Sequence, residues 1–345
     1  MHIESDIKLD YSDVLLRPKR STLTSRKEVK LTRSFKFRHS KRVIDVNPII
    51  AANMDGVGTF EMLKVLAEDN MLVALNKSYT AEELLEVYRY AFHQEQSRMI
   101  ESLCLTIGMQ DADYEKVREL KHKFPIICID TPNGYMEKYV QFVKSIRELC
   151  GVNNIIIAGN VVTADQTQEL ILNGADVVKV GIGPGSVCTT RIVTGVGYPQ
   201  LSTIMECADA AHGLGGHVVA DGGCTCPGDV AKAFGAGAHF VMLGGMLAGH
   251  DESEGTIEDG KVTFYGMSSD AAMAKHGSRK DGYRGAEGKV VQLIHRGPVE
   301  PTITEILGGV RSACTYIGAQ RIKDMPKCTT FVRCTQQVNT VFGNI

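Results

Sequence analysis

No run of apolar residues in the 345-residue chain approaches the ~18 that a membrane-spanning helix requires. The first residues, Met1-His2-Ile3-Glu4-Ser5-Asp6, lack the basic and apolar regions of a secretory signal. Neither export nor a membrane partner is expected. An excess of one charge is missing too: 38 Lys and Arg stand against 40 Asp and Glu, a formal net charge of -2. Totals this balanced create no field for holding nucleic acid, so nucleic acid is not an expected partner and any anionic ligand must be gripped locally. No low-complexity stretch or Pro/Ser-rich linker divides the chain. With 43% apolar and 23% charged residues, 1–345 reads as a single folded domain, neither disordered nor fibrous.

The ten cysteines are scattered, several within apolar segments such as Ile126-Ile127-Cys128-Ile129. That is not the framework of a small disulfide-stapled fold, and it points to a reducing, cytoplasmic compartment. Cys224-Thr225-Cys226 lacks the two-residue spacing and the distant partner pair of a zinc site.

One pattern recurs: a short β-branched run, a Gly or Asp at its end, then a helical segment. The runs are Pro48 to Asp55, Met71 to Lys77, Ile100 to Gly108, Ile126 to Asp130, Ile155 to Val161, Val177 to Gly183, Val218 to Gly223 and Phe240 to Gly245. Helical segments such as Thr80 to Tyr88 and Thr163 to Leu172 open on a capping Thr with an acidic residue in the first turn. Strands apolar enough to be buried on both faces and alternating with helices predict an α/β fold, a parallel (β/α)8 TIM barrel. A doubly wound open sheet is the alternative. Long loops follow strands six and eight, an extension (1–47) precedes the barrel, and a tail (319–345) follows a final helix containing Ile303 to Ile317.

Barrel active sites form at the C-terminal ends of strands, which directs attention to those two loops. The first, Gly181 to Gly197, carries Cys188 at its tip. Glycines at 181, 183 and 185 let the backbone turn tightly and expose N–H and C=O groups to an ion. Cys188 is placed like a nucleophile, with a small buried hydrophobe as the structural alternative. A free thiol of pKa ~8.5 is only roughly 3% thiolate at pH 7, so a catalytic Cys188 needs activation by a base, a dipole or a cation. Asp221-Gly222-Gly223 and Gly244-Gly245 end adjacent strands where barrels commonly bind phosphate through backbone N–H groups. Lys179 could be a structural or a Schiff-base lysine. In the second loop Glu287, set between small residues, can reach a ligand or lie on the surface.

The Gly-Ser-Val-Cys-Thr-Thr-Arg loop, Asp-Gly-Gly, Gly-Gly-Met and Glu-Gly together resemble the IMP dehydrogenase and GMP reductase superfamily, from about Leu9 to Val341. Ala52-Asn53-Met54-Asp55 ahead of Gly58 to Met62, Gly266 to Asp270, and Glu287-Gly288-Lys289 look like the GMP reductase branch. IMP dehydrogenases usually carry an inserted pair of CBS motifs, for which Lys77 to Ile100 leaves no room. The resemblance implies purine nucleotide salvage: NADPH-dependent reduction of GMP to IMP with release of ammonia. Cys188 would attack purine C2, and Thr190 with Glu287 would manage the protons. It implies substrate contacts at Asp221, Gly222, Gly223, Gly244, Gly245, Gly266, Met267, Ser268, Arg284, Gly285, Ala286 and Gly288. It implies dinucleotide contacts at Ser25, Arg26, Lys77, Asp130, Thr131, Pro132, Ile182, Gly183, Tyr283, Ser312, Ala313, Cys314 and Thr315, across barrel loops and a neighbouring subunit. A monovalent cation, K⁺, would lie on Gly183, Gly185 and Cys188 near Arg191, and the assembly would be a homotetramer.

Thr131-Pro132, Ala313 and Gly285-Ala286 depart from the residues usual in the family. The long flap with an Arg-Tyr pair by which IMP dehydrogenases activate water has no counterpart, since about twenty residues separate Met267 from Glu287 and the pair reads Tyr283-Arg284. Three other functions stay open: an IMP dehydrogenase without its regulatory insertion, a catalytically silent nucleotide-binding barrel, and a Schiff-base aldolase.

Overall fold

The computed structural model describes residues 3–277 and 285–335. Eight parallel strands close into a barrel: Ile49–Ala51, Leu72–Ala74, Leu103–Ile107, Ile126–Asp130, Ile155–Val161, Val177–Val180, His217–Asp221 and Phe240–Leu243. The eighth strand pairs with the first through Val241↔Ile49, Met242↔Ile50 and Leu243↔Ala51, so there is no open edge and the doubly wound alternative falls. Nearly every residue of these strands is buried, because helices cover the outside and side chains fill the inside.

The strands are shorter than the apolar runs that announce them. The first ends at Ala51, and Ala52 to Asp55 turn across the barrel mouth, with the Ala52 N–H donating to Leu243 O at 2.9 Å. The run beginning at Ile100 starts as a helix, Ser97–Ser102, which buries Met99 and exposes Arg98 and Glu101. Thr80 caps helix Ala81–His93 as expected, in a reciprocal capping box with Glu83. Thr163 precedes helix Ala164–Leu172 but makes no side-chain cap, its hydroxyl lying 3.0 Å from the Tyr135 hydroxyl.

The excursion after strand eight, read from sequence as a loop, contains an antiparallel sheet of Ile257–Glu258, Lys261–Tyr265 and Val290–Ile294, and a helix, Asp270–Lys275. Its hairpin turns at Asp259-Gly260 with φ of +49° and +70°, both left-handed. Asp-Gly is the dipeptide that such a two-residue turn favours. No helix among the described residues is long and apolar enough to cross a membrane.

The N-terminal extension is part of the barrel's packing. Val14–Leu16 pairs with Phe331–Arg333 of the tail, and the hairpin of Arg33–Lys36 with Val43–Val46 covers the N-terminal end of the barrel. Phe35 stacks on Phe240 at 4.2 Å between ring centroids and meets His217 edge-on at 5.5 Å. The fully buried Asp176 accepts the N–H groups of His39, Ser40 and Ile156 and pairs with Arg147, tying this end to strand five and its flanking helix.

His217 and His239 lie together beneath the hairpin, their rings 4.5 Å apart. Burial lowers His217 to about 4 and holds His239 well below the usual imidazole value. The His239 Nδ1 accepts the Val218 N–H at 3.2 Å, a bond only the neutral ring can take. The unfolded chain, with imidazoles near pKa about 6.5, therefore binds more protons than the folded chain at mildly acidic pH. Stability is full above about pH 6.5 and declines as pH falls toward 4. Thermal unfolding should show the melting temperature dropping from pH 7 to pH 5, and His217→Gln should flatten that dependence; a wild-type melting temperature unchanged across the interval would contradict it.

Candidate active site

At the C-terminal face of the barrel the loop after strand six turns back on itself, with the Cys188 N–H donating to Gly185 O at 3.1 Å. The turn requires glycine at its root, since a Cβ on Gly181, at φ +144°, would lie 2.2 Å from Asp221 O. Cys188 is partly exposed, and its thiol faces the Thr190 hydroxyl at 3.2 Å. That hydroxyl donates to Glu287 Oε2 at 2.8 Å. Thiol, hydroxyl and carboxylate thus form a continuous path along which a proton can leave sulfur, the activation that a nucleophilic Cys188 needs.

Glu287 reaches Thr190 because the second long loop lays its backbone beside the first. The Lys289 N–H donates to Val187 O and the Thr189 N–H to Glu287 O, both at 2.9 Å, making a short antiparallel bridge between Cys188 and Gly288. On the far side the Glu287 N–H donates to Ser268 O at 3.0 Å. Three backbones meet closer than side chains permit. A Cβ on Gly266 would lie 2.8 Å from Val187 O, and one on Gly288 3.0 Å from Ser269 N.

Beside this relay is a cradle of backbone. Gly222 and Gly223 both have φ of +88°, and a Cβ on Gly222 would lie 3.0 Å from Pro184 Cγ. A Cβ on Gly245 would meet Ser186 Oγ at 2.8 Å, and one on Gly244 would meet Met54 Sδ at 3.0 Å. Ser186 and Met54 therefore belong to the site, although sequence reasoning passed over them. The available signal was position: Ser186 lies two residues before the nucleophile, and Met54 lies just past the end of strand one.

The floor is ionic. Lys179 Nζ lies 2.6 Å from Asp221 Oδ2 and 2.9 Å from Asp130 Oδ1, and the lysine is only 4% exposed. Burial alone would lower its pKa, but the two carboxylates outweigh burial and raise it, so the amine stays protonated. A Schiff-base lysine must be neutral to attack, which removes the aldolase reading. Asp130 is its counterpart: burial pushes its carboxyl up, and the Lys179 and Lys77 charges overcome this and hold it below the usual range. Asn160 Nδ2 donates to Asp221 Oδ2 and Gly181 O, both at 2.8 Å, while its Oδ1 is buried without a partner among the described residues.

The other predicted residues divide. Lys77, Asp130, Thr131, Pro132, Ile182 and Gly183 line the mouth at strands two, four and six, Thr131 being buried and Pro132 exposed. Ser25 and Arg26 lie with Ser312, Ala313 and Thr315 of helix Glu300–Ile317 on another flank, where that helix packs on helix Pro227–Gly235 after strand seven. The first group thus spans strands two, four and six, and the second lies outside strands seven and eight. Cys314 is a correction: it is fully buried on the inner face of the helix, burial pushes its thiol up to about 12, and it offers no contact to a ligand. The Arg191 stem is sandwiched between Gly183 and Gly197 and its guanidinium is taken by Asp10 Oδ2 at 3.1 Å and Tyr198 O at 2.6 Å, so toward a cation it has only its main-chain carbonyl to offer. Tyr283 and Arg284 lie outside the described residues.

Comparison with known proteins agrees with this arrangement. The family model of the IMP dehydrogenase / GMP reductase domain matches residues 8–340. The chain is 58% identical to the GMP reductase of Klebsiella pneumoniae, with 100% of both chains covered. It is 56% identical to GMP reductase 2 of Homo sapiens and 55% identical to GMP reductase 2 of Mus musculus, each over 99% of both chains. Barrel, cysteine relay and full-length similarity together place this chain in the IMP dehydrogenase and GMP reductase family.

Proposed function

We propose that the chain is an NADPH-dependent GMP reductase, converting GMP to IMP and ammonia in purine salvage. The observation that carries this reading is the Cys188–Thr190–Glu287 path, which supplies both a nucleophile and a proton store. Cys188 Sγ bonds to purine C2 while its proton passes through the Thr190 hydroxyl to Glu287. The same carboxyl, now protonated, returns that proton to the 2-amino group, and the C2–N bond breaks to release ammonia. NADPH, when bound, would supply the hydride and its two electrons that C2 requires. The C2–S bond then breaks, IMP leaves, and the Cys188 thiolate takes a proton from solvent. One amino group is exchanged for one hydrogen, and one hydride and one proton are consumed.

Gly222, Gly223, Gly244 and Gly245, with Ser186, suit a phosphate that needs backbone N–H donors at close approach. Asp221, already oriented by Lys179 and Asn160, suits a ribose hydroxyl. Gly266, Met267, Ser268, Gly285, Ala286 and Gly288, from the segments that pair beside Cys188, would surround the base. Lys77, Asp130, Thr131, Pro132, Ile182 and Gly183 would hold the nicotinamide half of NADPH, and the unpartnered Asn160 Oδ1 fits a ligand N–H donor. Ser25, Arg26, Ser312, Ala313 and Thr315, which lie together where the 3-10 turn Arg26–Glu28 meets helix Glu300–Ile317, would complete the dinucleotide site of a neighbouring subunit in a homotetramer. Ten unpaired cysteines suit a reducing cytoplasm.

A weakly hydrated cation such as K⁺ fits the Gly183 and Cys188 carbonyls, which accept no hydrogen bond among the described residues, whereas Gly185 O already takes the Cys188 N–H. The cation would order the loop that carries the nucleophile.

The direct assay follows reduced-nicotinamide absorbance with GMP and NADPH while ammonia is measured. Equal NADPH loss and ammonia are expected; XMP formed from IMP and an oxidised nicotinamide at a comparable rate would make the protein a dehydrogenase. Cys188→Ala should bind GMP yet keep less than about a tenth of the turnover. Thr190→Ala and Glu287→Gln should each lower kcat by roughly 10² or more, and a rise in KM alone would make them binding residues. Replacing K⁺ by Li⁺ at constant ionic strength should slow turnover; an unchanged rate would remove the cation from the mechanism.

A further inference from the structure

Among the ties that fasten the loop after strand eight to the barrel, a carboxylate outside the relay takes part in several. Asp55, 4% exposed, sits in the turn after strand one. Its Oδ2 accepts the Tyr265 hydroxyl at 2.7 Å and lies 2.9 Å from His276 Nε2, with Lys275 Nζ at 3.5 Å. Asn76, from the loop after strand two, donates to Oδ1, and the Asp55 N–H points at Met267 Sδ at 3.3 Å. Lys275 continues to Glu254 at 3.3 Å, and Glu254 accepts the Tyr79 hydroxyl at 3.1 Å. One carboxylate thus holds both ends of the segment Tyr265 to His276. Burial alone would push the Asp55 carboxyl up, but the Tyr265 and His276 hydrogen bonds outweigh it and keep it below its ordinary value, as expected of a carboxylate engaged from several sides.

What this segment carries gives the anchor its meaning. Ser268 O accepts the Glu287 N–H, Gly266 N–H donates to Lys289 O at 3.2 Å, and Glu287 in turn receives the Thr190 hydroxyl. The backbone that positions the relay's carboxylate is therefore pinned at Asp55. We infer that His276, through its bond to Asp55, is a positioning residue that holds the Gly266–Ser269 backbone in place and thereby keeps Glu287 within reach of Thr190. With a carboxylate as acceptor, His276 Nε2 carries the proton, so any side chain with an N–H donor at that reach serves. His276 touches neither the nucleophile nor the relay and acts only through the chain between.

The role in turnover rests on the GMP reductase reading, whereas the structural tie does not. His276→Leu removes the donor and His276→Gln keeps one. Leu is expected to lower kcat for GMP about tenfold, and Gln to stay within about threefold of wild type. Hydrogen–deuterium exchange on the ligand-free protein is the second readout. In His276→Leu the amides of 264–269 and 285–290 should exchange several-fold faster while the barrel strands keep wild-type rates; general destabilisation would speed exchange everywhere. Tyr265→Phe, which deletes a single hydroxyl, should give a smaller acceleration in the same two segments and serves if His276→Leu does not fold. Local exchange unchanged in both variants, or Gln losing as much activity as Leu, overturns the proposal. Wild-type protein that does not consume GMP overturns the functional reading instead, and the exchange result still decides the tie.

Discussion

Backbones approaching as closely as those at Val187, Gly266 and Gly288 leave no room for a Cβ, and the chemistry of the site depends on that approach. It lets Val187 to Thr189 pair with Glu287 to Lys289, and this pairing sets a carboxylate 2.8 Å from Thr190 and the threonine 3.2 Å from the thiol. A methyl group at Gly266 or Gly288 would press against backbone atoms, which cannot rotate out of the way as a side chain could. The hydrogen-bonded Thr190 and Glu287 are 97 residues apart in sequence, so their alignment is a property of the fold and not of any local motif.

The barrel supplies what the two loops cannot. Strands four, six and seven place Asp130, Lys179 and Asp221 as a buried charge cluster directly beneath the loops. Two carboxylates keep the ammonium charged, and the ammonium keeps Asp130 ionised although burial opposes both. Removing the ammonium would leave two carboxylates without a countercharge, typically a loss of about 3–5 kcal/mol, so the three groups hold one another in a rigid floor. A rigid floor with hydrogen bonds already spent on orienting Asp221 fixes geometry before any ligand arrives.

The eight strands were legible because burial on both faces writes a continuous apolar run, while their ends were not, since Ala52 to Asp55 and Ile100 to Ser102 adjoin those runs in sequence, mix apolar with polar residues, and are taken by a turn and a helix. The small antiparallel sheet was legible in principle from Asp259-Gly260 and the alternation of Lys261–Tyr265, yet the first strand of that hairpin is only two residues long and the excursion was read as loop. Cys188 stood out through its glycine-rich loop, whereas Glu287 by itself read more readily as a surface carboxylate, and its role, like that of Thr190, came from family resemblance. Cys314 was misread because a motif transfers a position without the helical face on which it falls. Asp55 and Ser186 stood inside recognised motifs without a role assigned to them, and His276 stood in none; only the folded backbone brings them to the loops they serve.

If thiol, hydroxyl and carboxylate act as one path, interrupting it twice costs no more than interrupting it once. The most direct measurement is kcat for Thr190→Ala, Glu287→Gln and the double variant, under the same conditions with saturating GMP and NADPH. The account predicts a double variant within about threefold of the slower single variant, the non-additivity expected of groups that work as a unit. Losses that multiply, so that two reductions of roughly 10² give roughly 10⁴, would show that Thr190 and Glu287 act independently and would contradict it.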